Sequence, residues 1–150
     1  RGLSALGVLT IDGMIDCAIR SSNGVNTAEF LGDFDTAVLP HLQAYPLPRS
    51  IVVLDNAIVH HHRALIAAVK AAGAHIFFLP AYSYDMMPIE SAFSKVKSLL
   101  QRDTDGLCAR NPRAALHRAM MMVSGSDAEG YFRRTGWPVE EDPLAFLADG

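Results

Sequence analysis

The sequence predicts an α/β domain: a mixed sheet with an antiparallel hairpin, a parallel crossover and flanking helices. Three observations carry this. An Asp-Gly pair separates two short apolar runs near the start, "SALGVLT" and "MIDCAI", and Asp-Gly between such runs is a strong hairpin signal. Two continuous apolar runs, "IVVLD" and "AHIFFLP", stand either side of a helical segment. That order implies a right-handed parallel crossover between strands buried on both faces. Ile89, Phe93, Val96 and Leu100 then recur at i, i+4, i+7 and i+11, one apolar stripe of a long helix.

The bulk numbers agree with a folded domain. A chain of 150 residues can bury a real core. It is 50% hydrophobic and 19% charged, which excludes disorder. A net charge of -3 excludes a basic field over the whole chain, so nucleic-acid binding requires a local patch. Cys17 and Cys108 form no CxxC, which suggests neither a disulfide framework nor a zinc site and suits a reducing compartment. No apolar run approaches the roughly 20 residues of a membrane helix, and the first residues show no signal peptide. Position 1 is Arg, so the chain is expected to begin downstream of its gene product's start.

Taken in order, residues 4–10 and 14–19 form the hairpin. Asn26 or Thr27 caps a helix running to about residue 43, with Phe30, Phe34 and Leu42 apolar, Gly32 a weak point and Pro40 a kink. "AYPLPRS" is a rigid linker. Strand 51–55, helix 61–73 with its Gly stop, and strand 74–80 follow. The helix 89–101 begins after Pro88, whose missing N–H costs nothing in a first turn. Beyond "RDTDG", "NPRAALHRAMMMVSG" and "SDAEGYFRRTGW" read as two short helices rich in arginine, including Arg110, Arg113, Arg118, Arg133 and Arg134. Met120, Met121 and Met122 read as core packing. "PVEEDPLAFLADG" reads as a loosely held tail, docked on the body through Trp137 and Tyr131.

Functional groups in open α/β sheets gather at the carboxyl ends of strands. Asp55 ends one strand, and Glu90 follows the turn that leaves the next, with 34 residues between them. Two such carboxylates offer hard oxygen ligands to a divalent cation. A pair of cations about 3.5–4 Å apart can activate a water and stabilise a leaving oxygen. The same residues also suit structural roles, since Asp after a strand caps a following helix and Glu in a first turn complements the helix dipole. His60, His61 and His62 could orient a phosphate or a water near Asp55. Consecutive helical residues point about 100° apart and cannot chelate one ion together. His60, nearest the strand end, is the candidate, and the other two suit a solvated helix start. Lys95, Lys97 and Arg102, with the later arginines, could meet phosphates or simply form a solvated face. Asp55 as the phosphoacceptor of a response-regulator-like domain is a third reading, opposed by the hairpin.

"VVLDNAIVHH" followed by "FFLPAYSYDMMPIESAFSKVKSLL" resembles the DDE superfamily endonuclease domain of mariner-like transposases and their bacterial insertion-sequence relatives. That family carries a strand-end "LDN" with a His a few residues on, then "LPPYSPDLNPIE" at matching spacing. "RGLSALGVLTIDGMIDC" resembles its hairpin, and "NTAEFLGDFDTAVLPHL" its next helical segment. The resemblance implies a ribonuclease H-like fold, with Asp55 and Glu90 as the second and third acidic residues, both catalytic and metal-binding. It implies His60 as a hydrogen-bonding assistant, two Mg²⁺ or Mn²⁺ ions, and contacts to DNA through Lys95, Lys97 and Arg102. The reaction implied is DNA cleavage and transfer of a 3′ end, on transposon ends and target DNA. It is compatible with a homodimer, away from membranes, in the nucleus of a eukaryote or otherwise in the cytoplasm or nucleoid.

The family's first Asp lies on a strand before the hairpin, expected to precede Arg1. Residues 1–103 then read as the carboxy-terminal part of the endonuclease domain, and 104–150 as a helical extension and tail. The turn departs from the family at Ala81, Tyr84 and Met87. These changes favour an alternative reading, an inactive or domesticated remnant that binds DNA or protein without cleaving. Residues 1–150 alone are expected to show little or no nuclease activity.

Overall fold

A computed structural model of the chain describes residues 2–21, 24–57, 62–137 and 139. The hairpin forms as its sequence dictates, from β1 (Ser4–Thr10) and β2 (Gly13–Arg20), antiparallel with a register shift between Val8 and Leu9. Gly13 closes the turn at φ 113°, a conformation that disfavours any side chain. A Cβ there would stand 2.6 Å from the Val123 carbonyl oxygen. The Met14 N–H donates to that same oxygen at 3.1 Å.

Asn26 caps α1 (Thr27–Asp33) in a reciprocal box with Glu29. The single helix expected to run to about residue 43 does not form. The chain passes instead into a π-helical turn, Phe34–Val38, and a 3₁₀ turn, Leu39–His41. Pro40 has no N–H to continue an α ladder. The Thr36 hydroxyl also donates to the Gly32 carbonyl at 3.1 Å, competing with the backbone where the helix changes pitch.

β3 (Ile51–Leu54) and β4 (His75–Phe78) pair in parallel with α2 (Arg63–Ala71) between them, the expected crossover with shorter elements. Burial on both faces is not found. Val52 joins a core of Phe30, Phe34, Leu65, Val69 and Ala74, but Ile51 and Phe77 are 55% and 51% exposed. Leu65 and Val69 of α2 pack with Val52 on one face of this pair, while on the other the Phe77 ring meets Trp137 edge-on. Nor is there one mixed sheet: among the described residues the hairpin and the parallel pair are separate two-stranded sheets.

After a 3₁₀ turn at Tyr84–Met86, α3 (Pro88–Gln101) crosses the molecule. Its Ala92 and Val96 enter a second core with Met14, Ala119, Met120, Val123 and Tyr131. Of the expected core stripe, Phe93 and Leu100 pack against that core, and Ile89 and Phe93 also line a cleft. α4 (Leu107–Arg110), α5 (Pro112–Met121) and α6 (Gly125–Arg134) follow, with Asn111 capping α5 and Ser124 capping α6. The two helices expected after residue 106 are therefore present, and they share their core with β2 and α3. Of the three methionines expected inside, Met120 is buried, while Met121 and Met122 are exposed. Trp137 does dock on the body: its indole N–H donates to the Met86 carbonyl at 2.7 Å and its ring meets Phe77 edge-on. The tail reading of residues 140–150 lies outside the described residues. Among those described, no helix is long and apolar enough to cross a membrane.

Met87 occupies the N-cap of α3 at φ -99°, ψ 108° with no side-chain cap. This backbone suits a capping residue, so Met87→Asn is expected to stabilise the fold by about 1 kcal/mol. Equilibrium urea unfolding checks it; an unchanged midpoint would refute it.

Candidate active site

Asp55 directly follows β3, where the chain turns away from the sheet. Its Oδ1 accepts the Ala57 N–H at 3.1 Å, a local turn that fixes the carboxylate at the strand end. The helix-capping role open to Asp55 falls to another residue: His62 caps α2, its Nδ1 accepting the Ala64 N–H at 3.1 Å. Glu90 stands in the first turn of α3, where unpaired helix N–H groups favour an anion. Its carboxylate is exposed, and no hydrogen bond or ion pair holds it among the described residues.

Both carboxylates border one cleft of about 1070 Å³, which runs between the two half-sheets. Asp55 also borders a hollow of about 260 Å³ with Asn56, Tyr82 and Tyr84. Tyr82, 92% exposed, is held at φ 61° in this altered turn.

The other site residues expected from sequence are not gathered here. His60 lies outside the described residues. Lys97 on α3 and Arg102 at its C-cap are exposed and do not line the cleft. Lys95 forms an ion pair with Asp127, tying α3 to α6. The cations that do line the cleft are Arg49 and Arg133. Arg49 was not singled out from sequence, since a lone Arg between a linker and a strand gives no signal.

Lys95, foremost, and the Ser124 N–H hold the Asp127 carboxyl below the usual carboxylate range. A depressed carboxyl stabilises the fold above the ordinary Asp value near 3.9 and loses that contribution as pH falls through the lowered one. Asp127→Asn is therefore expected to flatten the acid limb of the stability profile while leaving its alkaline limb unchanged. An unaltered acid limb in denaturant midpoints between about pH 2 and 7 would refute this. Asp105 is also held well below the usual range, chiefly by its hydrogen bonds from Arg118. Burial first, then the Asp16 charge, pushes the Cys17 thiol up.

Asp55 and Glu90 offer oxygen donors of the kind that hard divalent cations take. Among the described residues no group of three or more His, Cys, Asp or Glu is placed to hold an ion. The pair fits such a cation in donor type and supplies part of a complete ligand set.

The family model described as DDE superfamily endonuclease matches residues 2–106. The matched span contains both half-sheets, α1, α2, α3 and both carboxylates, and ends before α4. No curated protein sequence and no solved structure matches the chain.

Proposed function

The chain belongs to the DDE superfamily endonucleases, and from that premise we propose that it forms part of a transposase-type centre for metal-dependent DNA cleavage and strand transfer. The observation that carries this reading is the placement of Asp55 and Glu90 on one cleft in a chain of this family. DNA is the family's substrate, and its endonucleases use divalent metal ions. In this reading the residues are of the mariner-like type, arranged in a ribonuclease H-like domain. Residues 1–103 supply the nuclease part, and 104–150 are an extension.

Asp55 and Glu90 would hold Mg²⁺ or Mn²⁺. The bound ions would supply an activated water or hydroxyl and relief of charge on the leaving oxygen. The chain's own groups have separate tasks. The Ala57 N–H keeps Asp55 aimed from the strand end, and the first turn of α3 carries Glu90 to the same cleft. His60 would donate a hydrogen bond to a phosphate oxygen or water. Lys97 on α3 and Arg102 at its C-cap, both exposed, would meet the phosphate backbone, and Lys95 could join them only by leaving Asp127. A homodimer and residence in a eukaryotic nucleus, or otherwise in the cytoplasm or nucleoid, complete the proposal.

A second reading has its own support. Among the described residues no group of three or more His, Cys, Asp or Glu is placed to hold an ion, and the helix bearing Glu90 lacks a side-chain cap. A remnant that binds DNA or protein without cutting fits both facts. The test uses a protein spanning the whole endonuclease domain. Asp55→Asn and Glu90→Gln are each expected to lower Mg²⁺-dependent cleavage by about 100-fold or more. Cleavage untouched by either change would refute the assignment. Salt-dependent duplex binding with no cleavage by the parent would favour the remnant.

A further inference from the structure

Trp137 stands outside the span that the family model matches, yet it reaches the approach to Glu90. Residues 79–87 lead from β4 to α3. The first of them is fixed to the strand that precedes Asp55: the buried Leu79 donates its N–H to the Leu54 carbonyl at 2.9 Å. The last of them sets where α3 begins, and so where Glu90 stands. Here the usual device is missing, since Met87 offers no side-chain cap. The bonds that close the turn are local. The Met86 N–H donates to the Ser83 carbonyl at 3.0 Å and the Met87 N–H to the Tyr84 carbonyl at 3.1 Å. They fix the turn's shape but not its place on the body.

Trp137 supplies that link. Its indole N–H donates to the carbonyl of Met86, which lies 51 residues away and four before Glu90. Its ring meets Phe77 edge-on with centroids 6.4 Å apart, so one side chain holds both the strand that enters the connection and the turn that leaves it. Trp137 is itself firmly placed, because α6 ends in a Schellman motif. Gly136, at φ 87°, donates its N–H to the Arg133 carbonyl at 3.2 Å, and the Trp137 N–H donates to the Phe132 carbonyl at 2.9 Å. α6 in turn is held on α3 by the Lys95–Asp127 pair and by Tyr131 in the core that contains Ala92 and Val96. Contacts therefore run from the middle of α3 through α6 and Trp137 back to the start of α3.

We propose that Trp137 is a positioning residue for Glu90, holding the start of α3 where a side-chain cap is absent. The inference rests on the reading of Glu90 as a cation ligand. It gives the segment beyond the family match a part in the geometry of the site. The test compares the ¹⁵N-labelled full chain with Trp137→Phe, which keeps a ring against Phe77 and removes the indole N–H. Hydrogen exchange at the Met87 and Glu90 amides is expected to speed by about 3- to 10-fold, the effect of one lost hydrogen bond, while hairpin amides stay unchanged. With Mn²⁺ added, resonance broadening around Glu90 is expected to weaken while that around Asp55 persists. Met87→Asn, added to Trp137→Phe, caps α3 by another route and should restore both signals. Equal losses at Asp55 and Glu90, or no rescue by Met87→Asn, would mean a general loosening and overturn the proposal. Exchange and broadening equal to the parent's would overturn it too, and would leave the nuclease reading standing. A parent broadened at neither carboxylate would instead overturn that reading, and the positioning role with it.

Discussion

Gly13→Ala is expected to cost about 2–5 kcal/mol, the sum of two effects at one Cβ. The first is conformational. Gly13 sits at φ 113°, and an L side chain in the left-handed half of backbone space costs roughly 1–2 kcal/mol. The second is steric. The new carbon would stand 2.6 Å from the Val123 oxygen and 2.9 Å from the Ser124 carbonyl carbon. Both are backbone atoms, so no side chain can swing aside. Moving them breaks the Met14 N–H bond to Val123 and disturbs the cap of α6 at Ser124. Overpacking of this kind costs about 1–3 kcal/mol. Urea unfolding reads the change as a lower midpoint at unchanged slope. A loss under about 1 kcal/mol would mean that the hairpin is not locked to the α5–α6 link.

Phe34→Ala is expected to cost about 3–5 kcal/mol. Phe34 is 1% exposed and is among the largest fully buried side chains. It lies in the π-helical turn and belongs to the core formed by Val52, Leu65 and Val69, with the Phe30 ring centroid 6.3 Å away. Truncation removes the transfer free energy of the ring and leaves a cavity that these neighbours fill only in part. Phe34 also lines the cleft, so dye binding should rise as the cavity opens. Phe34→Leu, which keeps most of the volume, is expected to cost under about 1.5 kcal/mol. Equal losses for the two variants would point to the π-helical turn itself rather than to packing.

How much of this was legible in the sequence depends on whether the signal was local. The hairpin, the Asn26 cap, the parallel crossover and the two late helices follow from turn residues, caps and periodicity, and all are present. What failed to show was set by tertiary context. "IVVL" and "HIFF" read as doubly buried strands, because apolar composition does not say whether a neighbour covers the second face; Ile51 and Phe77 remain exposed. Whether the hairpin and the parallel pair join into one mixed sheet is set by contacts between segments distant in sequence, which no local pattern reports, and among the described residues they stay separate. Ile89 and Phe93 sit on the expected apolar face of α3, but that face divides between core and cleft. At the site, Asp55 and Glu90 were named from their spacing at strand end and helix start, and the fold does bring them to one cleft. The pairing of Lys95 with Asp127, 32 residues away, carries no short-range signature.

The most direct test of the central claim, that Asp55 and Glu90 form a cation-binding pair, is titration of the ¹⁵N-labelled chain with Mn²⁺ under NMR observation. A bound paramagnetic ion broadens the resonances nearest to it. The account predicts selective broadening around Asp55 and around Glu90 at substoichiometric Mn²⁺, weakened by excess Mg²⁺ and lost at both places in Asp55→Asn. Broadening at neither residue, or broadening that survives the substitution, would contradict it and leave the cleft as a feature of the fold alone.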